Sequence, residues 1–116
     1  MTVTRQLLRE GEWTRDGRML TIGGVTWRDQ IPLMARGDKR DGFDGSHLIG
    51  VVTNIRREGN VIVGELSVDI DDNLIVTCEV DSVEDRIERP EGVEFVTARL
   101  VAATVARTEH WPWEKR

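Results

Sequence analysis

From Leu48 to Arg56 the chain reads LIGVVTNIR. At a period of two, Ile49, Val51, Thr53 and Ile55 share one face and Leu48, Gly50, Val52 and Asn54 the other, so the strand is apolar on both sides. Arg57-Glu58-Gly59-Asn60 then supplies turn chemistry, with Gly59 and Asn60 both tolerant of positive φ, and Val61-Ile62-Val63 resumes the β pattern. These two runs predict a hairpin. A third strand follows Asp71-Asp72-Asn73, where Leu74, Val76, Cys78 and Val80 alternate with Ile75, Thr77 and Glu79 and form the inward set. Residues 2–9 and 18–27 read as strands joined by an Asp16-Gly17 turn, with Gly23-Gly24 interrupting the second. Residues 93–107 combine β-branched residues with an Ala-rich centre, which a strand or a helix accommodates. A long strand bent near Ala102-Ala103 is the favoured reading. For residues 81–92, DSVEDRIERPEG, the charges and the closing Pro90 and Gly92 predict a short helical turn or an irregular connector.

Turn signals recur every ten residues or so, and no internal repeat or low-complexity linker interrupts them. The fold class that follows is mainly β, a small partly open barrel or sandwich with at most one or two short helices. The chain of 116 residues suits a single domain, 1–116, ending in an aromatic tail over 108–116. At this length roughly 65% of the unfolded surface can be buried, enough for one core.

Composition narrows the function classes. The net charge is -5, from 21 acidic against 16 basic side chains, and the doublets Lys39/Arg40 and Arg56/Arg57 are each interleaved with acids. Direct nucleic-acid binding through phosphates is therefore not expected. No apolar run approaches the ~20 residues that span a bilayer, so no membrane role is expected either. A lone Cys78 and the lack of a secretory-type opening predict a reducing, cytosolic origin, with Cys78 a buried apolar residue and not a nucleophile.

Several stretches carry candidate chemistry. The loop RGDKRDGFDGSHLIG, residues 36–50, spaces Asp38, Asp41 and Asp44 three apart among glycines. A calcium loop of the EF-hand type wants acids two apart and a distal Glu, and two histidines with one Cys do not make a zinc site, so no metal or cofactor is expected. Arg36-Gly37-Asp38 is too short to argue an integrin ligand. Asp69, Asp71 and Asp72 read as a solvated strand end, because like charges so close repel unless solvated or partnered. Ser67 precedes them, and a serine needs an adjacent base before it is a useful nucleophile. Trp13 and Trp27 fall in or beside strands and are expected in the core. Trp111 and Trp113 flank Pro112 in a tail that would expose large aromatic area if free; they dock on the chain's own barrel or insert into a neighbour.

The succession TWRDQIPLMARGDKRDGFDGSHLIGVVTNIRREGNVIVGELSVDIDD, residues 26–72, resembles the tailed-phage prohead (capsid maturation) serine protease family, particularly forms from actinobacterial phages. In that family a WR..PLM-like segment leads into a loop, a glycine-closed hairpin and a serine-bearing strand similar to SVDIDD. The stretch VTARLVAATVARTEHWPW, residues 96–113, is similar to its closing strand and proline-containing tail. The resemblance implies a mostly β core and a serine–histidine pair that cleaves capsid and scaffold extensions, with Ser67 in the nucleophile's position. The family's histidine precedes an Asp-Gly pair, and here Phe43 precedes Asp44-Gly45. His47 lies about four residues away, a displacement far larger than the roughly 3 Å that proton transfer needs. Loss of the base costs on the order of 10^4 to 10^6 in rate.

The expected function is accordingly a non-enzymatic phage virion protein, a capsid decoration or minor head protein. It would bind the major capsid protein or other virion proteins in multiple copies, in the host cytoplasm during assembly and then in the virion. Phe43, Trp111 and Trp113 are the expected partner contacts, although Phe43 could equally pack in its own loop. The alternatives are a minimal prohead protease using Ser67 with His47, and another binding module: a head–tail connector, a tail component, or a host-derived β domain unrelated to phage.

Overall fold

The computed structural model describes residues 3–36 and 46–113, less the side chains at 36, 46 and 82–84. Eight strands follow in order: β1 (Val3–Arg9), β2 (Arg18–Leu20), β3 (Val25–Trp27), β4 (Gln30–Arg36), β5 (Ser46–Glu58), β6 (Val61–Leu66), β7 (Leu74–Arg89) and β8 (Gly92–Arg107). A single 3-10 turn, Thr108–His110, is the only helical element among the described residues. The mainly β expectation holds, as a sheet curled into an open half-barrel.

The sheet is organised on β8. Along one of its edges β2, β3 and β4 run as one interrupted parallel strand, pairing Arg18–Leu20 with Val93–Phe95, Val25–Trp27 with Ala98–Leu100 and Leu33–Ala35 with Ala103–Val105. Gly23-Gly24 interrupts this line, as the sequence implies. At Gly24 the chains approach so closely that a Cβ would fall 2.0 Å from the Val96 carbonyl oxygen, while the Gly24 carbonyl accepts from the Ala98 N–H. Gly24→Ala is therefore expected to cost about 1–3 kcal/mol, read as a lowered denaturation midpoint.

On the other edge β7 runs antiparallel to β8 for its whole length, from Leu74↔Arg107 to Arg89↔Gly92. Residues 81–92 are thus neither a helical turn nor an irregular connector; 81–89 continue β7, and Pro90-Glu91 turns the chain into β8. Cross-strand pairing carries the charges: Arg86 lies 5.5 Å from the Phe95 ring centre, and Arg89 pairs with Glu94 at 2.9 Å. The irregularity expected near Ala102 is a bulge at Val101, between the pairs Glu79↔Ala102 and Val80↔Leu100.

The hairpin of β5 and β6 forms as predicted, with Gly59 at φ 67° in its turn. β4, to which the pattern assigned no element, pairs antiparallel with β5, and β6 pairs with β1. A bulge between Gln6 and Leu8 turns both Leu7 and Leu8 inward. They meet Ile31, Leu33, Val52, Ile62, Leu66, Val76 and Leu100 in one buried cluster. Trp27, Cys78 and Trp113 pack against it. Trp13, expected in the core, is half-buried and lies outside that cluster.

Candidate functional site

Ser67 begins the turn that leaves β6. Its N–H donates to the Val51 carbonyl at 3.0 Å, and its Oγ accepts from the Val51 N–H at 2.9 Å. The hydroxyl thus takes the place of a ladder carbonyl and closes the β5–β6 pairing beyond Val52↔Leu66. Gly50 makes this approach possible, since a Cβ there would lie 2.5 Å from Ser67 Oγ. Asp69, Asp71 and Asp72 follow in the exposed turn to β7. Arg5 holds that turn, donating to the carbonyls of Ile70, Asp71 and Leu74 at 3.3, 3.2 and 3.0 Å.

His47 is exposed near the start of β5, opposite Ala35 of β4. Ser67 is tied to Val51, four positions further along the same strand, so at ~3.3 Å per residue the two backbones stand roughly 13 Å apart. A histidine and a serine side chain do not span that gap with a hydrogen bond. The structure does not bring the two together. Phe43 and the aspartates at 38, 41 and 44 lie outside the described residues. Cys78 packs partly buried against the core, where burial pushes its thiol up and disfavours the thiolate.

The aromatic tail packs back on the chain, against the segment at Glu12–Arg15 and the core cluster. Trp113 donates its indole N–H to the Glu12 carbonyl at 3.1 Å and packs on the core cluster, and the Arg15 N–H donates to the Pro112 carbonyl at 3.0 Å. Beneath it a cavity of about 110 Å3 is lined by Leu8, Leu20, Cys78, Phe95 and Trp113 among others. Of the two tail readings, docking on the chain's own barrel describes these contacts. Both tryptophans are half-buried, their ring centres 5.3 Å apart.

Two carboxylate sites have no counterpart in the sequence reading. Glu10 is fully buried at 0% exposure and receives Arg57 at 2.8 and 3.1 Å and the Val25 N–H at 3.1 Å. The Arg57 guanidinium lies 4.9 Å from the Trp27 ring centre. Burial alone raises the Glu10 carboxyl, but hydrogen bonds from Arg57, Val25 and Gly23 and the charge of Arg57 prevail and hold it below its ordinary value. Glu94 accepts from Thr21 and Arg89, which lower its carboxyl in the same way. Both sites tie together positions far apart in the chain, Glu10 with Arg57 and Glu94 with Thr21, and act as clamps. Because Glu10 and Arg57 stand 47 positions apart, no local pattern announces them.

Compared with protein-family models, curated proteins and solved structures, the chain matches none.

Proposed function

We propose that this protein is a non-enzymatic virion structural protein, a capsid decoration or minor head protein that binds the major capsid protein in multiple copies. The observation that carries this reading is the use of Ser67 Oγ as an acceptor for the Val51 N–H, roughly 13 Å along the strand from His47. A serine engaged as a strand plug, with no imidazole at hand, is suited to holding a fold together and not to acyl transfer. The resemblance of residues 26–72 and 96–113 to the prohead protease family supplies the viral context. The half-buried tryptophan pair suits contact with a neighbouring subunit, since aromatic anchors concentrate binding energy at interfaces.

Peptide mapping of purified mature virions from the phage that encodes the chain tests this. The full-length chain is expected among the virion proteins, and its absence overturns the reading. Ser67→Ala is expected to leave capsid-protein processing unchanged while costing about 1 kcal/mol of stability, because the Val51 N–H loses its acceptor. A block in processing would instead establish a protease.

A further inference from the structure

The half-barrel has a seam. β1 pairs with β6 and β7 with β8, and among the described residues no ladder joins β1 to β7, although the curl of the sheet brings the two strands alongside each other. Following the pairings around the sheet, β1 and β7 run parallel across this seam. Arg5 bridges one end with its bonds to the carbonyls of Ile70, Asp71 and Leu74, and its charge is near Asp72 at 3.7 Å. Beyond Arg5 the seam opens into a groove of about 600 Å3, walled by Thr4, Gln6 and Arg9 of β1, Ile75 of β7, and Trp111 and Trp113.

Among the described residues the groove's walls carry two arginines and no acid, their acidic neighbours Asp72 and Glu12 standing off the lining, in a chain whose net charge is -5. Arg9 is under-used. Its guanidinium lies 5.8 Å from the Trp111 ring centre and reaches Glu12 and Gln6 only at 3.4 and 3.5 Å. Its Nε is buried without a hydrogen-bond partner. A guanidinium beside an open strand edge offers what an extended peptide with an acidic side chain requires: main-chain pairing, a bidentate carboxylate partner and an aromatic wall.

We propose that the β1–β7 seam is the docking groove for an extended acidic arm of a partner protein, which adds a strand along β1 and sets a carboxylate on Arg9. The proposal deepens the virion-protein reading by giving the partner's contacting segment, and it rests on that reading for the partner's identity alone. An arm running antiparallel to β1 makes the more stable ladder.

The test is an NMR titration of the isotope-labelled full chain with a blocked seven-residue peptide of alternating Val and Glu, and with the same peptide carrying Lys in place of Glu. The acidic peptide is expected to bind in the millimolar range or tighter, shifting the amides of Val3–Arg9 and the Trp111 and Trp113 indole N–H signals and slowing hydrogen exchange along β1. The Lys peptide is expected not to bind. Arg9→Gln should weaken the acidic peptide about ten- to a hundred-fold, while Arg28→Gln, exposed and away from the groove, leaves it unchanged. Equal binding of the two peptides, shifts centred on another strand, or no binding at millimolar peptide overturns the proposal. The comparison of peptides on the unaltered protein decides it even where Arg9→Gln fails to fold. Peptide binding with the chain absent from virions would leave the groove standing and remove the virion role; the reverse outcome would remove only the groove.

Discussion

Arg57→Ala is expected to lower the unfolding free energy by about 2–4 kcal/mol, enough to shift the thermal midpoint by roughly 10 °C in a domain of this size. The reason is the carboxylate it leaves behind. Glu10 is fully buried, and with Arg57 gone only backbone N–H groups would face its charge. Breaking a buried pair from one side typically costs about 3–5 kcal/mol, and the lower range applies because the Arg57 side chain is 34% exposed and partly screened by water. The double variant Glu10→Met/Arg57→Met should recover part of the loss, since no charge is then stranded. The pH dependence has a definite sign. The folded carboxyl sits below its ordinary 4.5, so the clamp contributes fully above that pH and fades as pH falls through the folded value. Urea unfolding of wild type and Arg57→Ala between neutral pH and pH 3 checks both points. A difference that grows on acidification would contradict the clamp.

Leu100→Ala is expected to cost about 2–5 kcal/mol. Leu100 is 1% exposed at the middle of β8, paired with Trp27 on one side and with Val80 on the other. Truncation there opens a cavity where three strand lines meet, and such a site collapses poorly. Leu48→Ala, at a position 63% exposed, is the comparison and should stay within about 0.5 kcal/mol of wild type. The denaturant midpoint should fall for Leu100→Ala with an unchanged slope. Similar losses in both variants would contradict the core assignment.

The elements legible in the sequence are those specified locally. The β5–β6 hairpin depends on Gly59-Asn60 between two apolar runs, and the inward set of β7 on strict alternation from Leu74 to Val80. β4 carries no strand signal of its own in the sequence, since Pro32 speaks against a strand interior. Here Pro32 faces Val51 and precedes Leu33–Ala35, the stretch that ladders with β8, so its missing donor breaks no pairing there. The charged run 81–89 reads as a connector because its stabilisation as a strand comes from across the hairpin, through Phe95 and Glu94. Nothing in DSVEDRIER itself signals those partners. At the candidate site, the sequence singles out Ser67 and His47 by type but not the register that sets them apart. That register depends on pairing between β5 and β6, with a bulge between Thr53 and Arg56 that spacing alone does not foretell. The Arg9 groove is invisible for a similar reason, since its walls come from β1, β7 and the tail.

Ser67 Oγ is engaged as an acceptor for the Val51 N–H, and His47 stands four positions along the strand from Val51. Intact-mass analysis of the folded protein after incubation with a fluorophosphonate, which labels only activated serines, tests directly whether that hydroxyl is structural. The account predicts an unchanged mass. A stoichiometric adduct on Ser67, lost in Ser67→Ala, would contradict it.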